Sequence, residues 1–309
     1  MGTLRIQLFG RFCANSGDRE LLSFASTKVQ ELFSFLLLHR KPHAREVLAA
    51  QFWGDSEHSQ AKKYLRKALW QLQATLESNL GPLDGRVVLV ENDWVRLNSE
   101  FDLWVDVIAF EEAIKTAGPI DRTHDAATAE CLNKALQLYK GDLLEGCYQD
   151  WCLFERERLQ TIYLTTLDRL ICYSERNRLY EKALGYVAEV LRNDPARERA
   201  HRQAMRLHFA RGDRATAIRQ YQRCVGALKA ELDVSPSPRT RQLLAKIQAK
   251  DCEDVLYESS AEHSRAAKDV VSLPEVLDDL KKLRSTLSNT LKQVQADIQK
   301  VELALIDRR

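Results

Sequence analysis

The sequence predicts a mainly α protein with a small α+β domain at its amino-terminal end. Strand-like alternation is confined to the first residues and to a hairpin near residue 90. Helical periodicity runs almost unbroken from Leu103 to about Lys250, and a 34-residue repeat lies inside that helical part. At 309 residues the chain is too long for one ordinary core and suits two or three domains, and 45% hydrophobic residues are enough to build them. Its net charge is only +2, so any binding of a polyanion must come from a local patch.

The elements follow in order. Leu4, Ile6 and Leu8 alternate with Arg5 and Gln7, the period of a half-buried strand ending near Gly10. A polar turn at Asn15-Ser16-Gly17-Asp18 leads to a second extended piece around Leu21 to Phe24. From Thr27 the period becomes helical through Val29, Leu32, Phe33, Leu36 and Leu37, with Ser26 or Thr27 as N-cap and Pro42 beyond the end. A short helix over Ala44 to Trp53 closes at Gly54-Asp55.

The third helix, His58 to Leu76, carries the strongest signal. Ala61, Leu65, Ala68, Leu69, Leu72 and Leu76 form its core stripe. Lys63, Arg66, Lys67 and Trp70 point the opposite way, with Lys62 and Gln71 on the flanks, and the segment holds no acidic residue. Solvated helix faces usually mix both signs, because Glu to Lys pairs stabilise them. Four cations without helical partners point to an anion on another molecule, a phosphate backbone first; a merely basic solvent face is the alternative. Breaks at Gly81-Pro82 and Asp84-Gly85 precede Val87 to Val90 and Trp94 to Leu97, a β-hairpin turning at Glu91-Asn92-Asp93 with Arg96 on its second strand. Strands, three helices and a closing hairpin are the order of a winged helix-turn-helix over residues 1–102, whose third helix enters the major groove while the hairpin touches the backbone.

Residues 103–250 are read as tetratricopeptide-like repeats. An offset of 34 superposes Ala183 on Ala217, Leu184 on Ile218, Val187 on Tyr221, Val190 on Cys224 and Leu191 on Val225. Asn193-Asp194-Pro195 and Arg211-Gly212-Asp213 mark turns between helices. Such repeats build binding surfaces. Arg199, Arg202 and Arg206 share one helix face, and Arg219 and Arg223 form a second cationic pair; they suit a small phosphate-containing effector or an acidic helix, or else are satisfied internally by Glu198, Asp213 and carbonyls. Residues 251–272 are polar and read as a linker. In residues 273–309, Leu273, Val276, Leu280, Leu283 and Leu287, then Leu291, Val294, Ile298, Val301 and Leu305, form a coiled-coil-like seam with a stutter at Leu287 to Leu291. Self-association and folding back onto the repeats both fit it.

Seven cysteines, an odd number without a CxxC pair, suit reduced thiols in a cytoplasm. Cys147 and Cys152 have no histidine nearby, so packing is favoured over zinc and no metal site is assigned. No signal peptide is recognised, and the longest apolar run, Leu32 to Leu38, is too short for a bilayer; no membrane association is expected. Without a GxxxxGK[ST] loop, a GxSxG elbow or an HExxH helix, catalysis has no motif behind it. No catalytic residue and no cofactor are assigned.

The residues from Leu4 to about Lys250 resemble the antibiotic-regulatory-protein (SARP) class of bacterial transcription regulators, which join an OmpR/PhoB-type winged helix to a bacterial transcriptional activator domain. The resemblance rests on LRIQLFGRF, STKVQELFSFLLLHRKPHAREVLAAQFWGD and AKKYLRKALWQLQATLE in the first part. In the second it rests on GDLLEGCYQDWCLFERERL and RGDRATAIRQYQRCVGALKAELDVSPSPRTRQLLAKI, with Tyr221, Leu228, Glu231-Leu232, Pro236 and Thr240 falling as in that domain. The resemblance implies sequence-specific binding of double-stranded DNA by a homodimer on promoter direct repeats, and activation through RNA polymerase. On this chain Lys62, Lys63, Arg66, Lys67, Trp70 and Gln71 become the reading face, Thr27 and Lys28 position a phosphate, and Arg96 sits on the wing. Arg66 is the base-reading residue of choice because arginine pairs bidentately with guanine. Trp70 either meets a thymine methyl or packs under the wing. The competing expectation is an interaction scaffold, or a phosphate-ligand sensor built on the repeats, whose winged helix binds protein.

Overall fold

In the computed structural model, residues 4–16, 19–20, 24, 26–80, 86–118 and 125–249 are described. The chain divides into two compact units, Met1–Leu244 and Ala245–Arg309, and of the second only residues up to Ala249 are described. The predicted linker, 251–272, and coiled-coil-like helix, 273–309, lie outside the described residues, as do the breaks over 81–85.

The first unit begins with alternation that becomes a strand. In β1 (Leu4–Gln7), Leu4 and Ile6 are fully buried while Arg5 is exposed and lies over the Trp104 ring at 5.1 Å. Its antiparallel neighbour is β2 (Cys13–Ser16), with Leu4 opposite Ser16 and Gln7 opposite Cys13, and β3 (Arg19–Glu20) pairs with β2 in turn. The sequence places a turn at Asn15 and Ser16 and a strand at Leu21 to Phe24. Instead Asn15 and Ser16 are in β2, Phe24 is irregular, and 21–23 lie outside the described residues. Pairing with β1, more than intrinsic propensity, makes Cys-Ala-Asn-Ser a strand.

Helix α1 (Thr27–Leu38) starts where its cap predicts: Ser26 Oγ accepts the Val29 amide at 3.4 Å. Its Val29, Leu32, Phe33, Leu36 and Leu37 are all buried. A two-residue strand, β4 (His43–Ala44), precedes α2 (Arg45–Trp53), and α3 (His58–Leu80) follows a short turn. The hairpin of β5 (Val88–Glu91) and β6 (Trp94–Leu97) turns at Asn92, whose φ of 47° is the left-handed conformation asparagine tolerates. β4 joins this hairpin as a third strand, in the order β4-β6-β5.

The chain then returns to its beginning. Leu103–Val105, expected to open the helical part, is a strand, β7, parallel to β1 with Leu103 beside Leu4 and Val105 beside Ile6. The sheet order is β3-β2-β1-β7. Asp106, first residue of α4 (Asp106–Ala117), aims its carboxylate at this sheet: it accepts the Leu8 amide at 2.9 and 3.0 Å, the Phe9 amide at 3.0 Å and the Val107 amide at 2.7 Å. Burial outweighs those amides and raises its pKa above the usual carboxylate range.

Helices α5 (Ala126–Leu138), α6 (Asp150–Arg176), α7 (Tyr180–Asn193), α8 (Glu198–Ala210), α9 (Arg214–Leu232) and α10 (Pro238–Ala249) follow. From α4 to α9 each packs on its sequence neighbour. Ala183 on α7 and Ala217 on α9, the equivalent positions of the 34-residue offset, are both fully buried, as small residues must be where helices approach closely.

Candidate nucleic-acid interface

The inner stripe of α3 is buried throughout: Ala61, Leu65, Ala68, Leu69, Leu72 and Leu76 lie in the same core as α1 and the β5–β6 hairpin. With that stripe fixed, helix geometry leaves Lys63, Arg66, Lys67 and Trp70 in solvent, and all four are exposed. Trp70 is 70% exposed, so it does not pack beneath the hairpin. Gln71 is half-buried on the flank, where the sequence places it.

One cation is not free. Lys62 Nζ lies 2.6 Å from Glu46 Oε1 on α2, and His58 Nε2 is 4.0 Å from the same oxygen. The lysine holds the Glu46 carboxyl below the usual carboxylate range. The unpaired quartet read from the helix is therefore a trio plus Lys62, whose partner sits on another helix. Such an exposed pair is weak and screened by salt, so it yields to a better anion.

The hairpin contributes less charge and more aromatic surface than expected. Arg96 Nη2 is 2.8 Å from Glu91 Oε1 across the two strands. Trp94, unassigned from sequence, is 52% exposed, and Val90 is exposed as well. The signal for Trp94 was present, because Val95 and Leu97 are buried and strand alternation sends their neighbours outward. Arg45 ties α2 to the hairpin turn: its amide donates to Asp93 O at 2.8 Å and its Nη1 to Asn92 O at 3.3 Å. At the start of α1, Thr27 is exposed and Lys28 lies 3.4 Å from Glu31.

The arginines of α8 and α9 are mostly engaged within the chain. Arg199 and Arg197 both reach Asp168 Oδ2, at 3.3 and 3.4 Å. Arg202 lies 3.6 Å from Glu198 and donates to Thr240 Oγ1 at 3.2 Å, while Arg206 is buried. Arg219 and Arg223 are exposed on α9, with Arg219 donating to Thr216 Oγ1 at 2.7 Å. Among the described residues no helix is long and apolar enough to cross a membrane.

Comparison with known proteins bears mainly on the helical part. Residues 105–248 match the bacterial transcriptional activator domain. No curated protein matches the chain. Among solved structures, Mycobacterium tuberculosis EmbR in complex with a low-affinity phosphopeptide is similar over 90% of this chain and 72% of its own, at 16% identity and a TM-score of 0.66. At that identity the likeness is one of fold.

Proposed function

We propose that this chain, with its match to a bacterial transcriptional activator domain over residues 105–248, is a sequence-specific regulator that reads duplex DNA with α3. The single observation behind it is the outward face of that helix: Lys63, Arg66, Lys67 and Trp70 in solvent, beside a hairpin that exposes Trp94 and carries Arg96. In this division residues 1–102 form a winged helix, whose sheet is joined by β7 at the start of the next segment; 103–250 carry tetratricopeptide-like repeats, 251–272 a linker and 273–309 a coiled-coil-like helix. In this reading two protomers bind promoter direct repeats in a bacterial cytoplasm and activate by engaging RNA polymerase. Arg66 pairs with a base, Lys63 and Lys67 with phosphates, and Trp70 offers an apolar edge to thymine. Thr27, Lys28, Lys62, Gln71 and Arg96 supply backbone contacts around it.

The test is selection of duplexes from a random pool by the full chain, followed by anisotropy on the enriched site and a scrambled one. Arg66→Ala is expected to lower the discrimination between them by about 1–3 kcal/mol, the worth of one bidentate base contact. Unchanged discrimination would remove α3 from base reading. A second reading, that the repeats recognise a phosphorylated partner, draws on the phosphopeptide held by EmbR. Arg219 and Arg223 are its exposed cations here. Calorimetry of the full chain against phosphopeptide and nucleotide panels separates the two, because only the second gives saturable heats lost in Arg219→Ala/Arg223→Ala.

A further inference from the structure

We propose that, off DNA, the outward face of α3 is covered by a second copy of this chain, which docks on it with an acid-flanked aromatic patch at the start of α6. That the covered face reads DNA is the function proposed above; the pairing itself stands on the two surfaces. Helix α6 begins after Gln149 as N-cap, and at the helical period Asp150, Leu153, Phe154 and Glu157 fall within one arc of about 100°. All four are exposed, Phe154 by 73%, while Trp151, Cys152 and Leu159 hold the opposite side in the core. Tyr148, 77% exposed, stands just before the cap, the position that staples over the fourth helical residue, here Leu153. Apolar side chains therefore gather where an amphipathic helix ordinarily meets water.

The rim of this patch is negative. Asp150 and Glu157 bracket Leu153 and Phe154 along the helix, and Glu145 lies in the loop before it; all three are exposed and outside any ion pair among the described residues. The neighbouring cations do not neutralise them. Arg156 is engaged on the carbonyls of Leu143, Leu144 and Cys147, and Arg158 on Glu111 and Glu155. Exposed aromatic clusters of this kind anchor protein interfaces, and this one calls for a partner surface that is apolar at one point and cationic around it.

The chain itself carries that surface. Lys63, Arg66, Lys67 and Trp70 repeat on α3 the spacing of Asp150, Leu153, Phe154 and Glu157 on α6, and they offer cations to the carboxylates and one ring to the exposed rings. Both faces are open to solvent in the same chain, so they meet between copies and not within one. A two-fold arrangement uses both at once, each copy giving its α3 and receiving its partner's. Two helix-sized, charged contacts make a small and transient interface that salt dissolves. Phosphates compete for the same cations, so duplex DNA and the second copy exclude one another.

The experiment mixes equal amounts of unlabelled and isotope-labelled full chain and adds a carbodiimide, which joins only a carboxylate and an amine already in contact; mass spectrometry then identifies the linked peptides. The expected links join Lys63 or Lys67 to Glu145, Asp150 or Glu157 in pairs of mixed isotope, and they fade along a salt series and on saturation with a duplex. Asp150→Lys/Glu157→Lys and Lys63→Glu/Lys67→Glu alter exposed side chains only. Each variant alone should lose the links, and an equimolar mixture should regain them between the intact α3 of one and the intact patch of the other. Absence of these links, links within one isotope only, a mixture that does not recover, or links to the patch from Lys281, Lys282, Lys292 or Lys300 in their place overturns the pairing. Links that persist where anisotropy shows the duplex bound overturn the masking. A duplex that does not bind at all refutes the DNA reading of α3 instead and leaves the pairing standing.

Discussion

Replacing Asp106 by alanine tests the joint between the amino-terminal sheet and the helical part that follows it. Its carboxylate takes four hydrogen bonds of 2.7 to 3.0 Å from three backbone amides, Leu8, Phe9 and Val107, and two of those amides lie ninety-eight and ninety-seven residues away in sequence. Alanine leaves three buried donors with no acceptor in reach. At about 1 kcal/mol per lost bond, the low end for a buried group, the loss is about 3 kcal/mol. In a unit of this size that is a fall of about 6–12 °C in melting temperature, read by circular dichroism on the full chain. A fall of less than about 2 °C would mean that the amides find other acceptors and that the carboxylate is no clasp. A second variant supplies the sign of the pH dependence. Burial raises the Asp106 pKa in the fold above its ordinary 3.8, so the folded state keeps this proton to higher pH than the unfolded chain does. The group's contribution is therefore fully present below 3.8 and is lost as pH rises through the folded value. Asp106→Asn cannot titrate, so the stability of the native chain relative to that variant should decline as pH is raised from 3.8. A relative stability that grows instead would show that the three amides outweigh burial.

Two further outcomes concern the basic helix. Lys63→Ala/Lys67→Ala should weaken binding to all duplexes alike and flatten the slope of log affinity against log salt by about 1.8, two released counterions; an unchanged slope would show that these lysines do not meet phosphates. Glu46→Gln removes the intramolecular competitor for Lys62, so duplex binding should tighten and the salt slope steepen, by at most about 0.9. Anisotropy titrations across a salt series read both, and a slope unmoved by Glu46→Gln would leave Lys62 outside the interface.

What the sequence made legible was whatever a single element encodes alone. The stripes of α1 and α3 repeat at the helical period and are buried residue for residue, and the Ser26 cap stands where the pattern puts it. The 34-residue offset aligns Ala183 and Ala217, and both are fully buried. What stayed hidden depends on a partner distant in sequence. Leu103-Trp104-Val105 is a short apolar run that fits helix or strand equally, and only Leu4 to Ile6, about a hundred residues earlier, make it β7. The Lys62–Glu46 pair joins two helices, so the charge pattern of α3 by itself showed an unpaired lysine. Asp106 carries no local sign of its role, since its acceptors' partners are backbone amides.

The same long-range contacts bear on how the two halves work together. The chain beyond β1 pairs with the α5–α6 loop: Phe9 bridges Leu143, Leu144 N donates to Leu8 O and Glu145 N to Gly10 O, each at 2.8 Å, and Gly10 N donates to Asp142 O at 2.8 Å. Glycine is needed on both sides of that approach. Gly10 has φ +82°, and a Cβ on Gly141 would stand 3.4 Å from Gly10 Cα and 2.8 Å from Glu145 Oε1. A second seam is aromatic, with Phe35 of α1 and Phe52 of α2 against Trp151 at ring distances of 5.3 and 6.3 Å, and His39 3.6 Å from Glu155. Helices α1 and α2 also form the platform on which α3 packs. A backbone ladder, a buried carboxylate and an aromatic seam are too many constraints for a flexible hinge, so the basic face keeps a fixed bearing on helices α4 to α9. The loop that makes the ladder also carries Cys147, whose Sγ lies 3.8 Å from Glu31 Oε1 on α1, so the same loop meets both the sheet and the first helix.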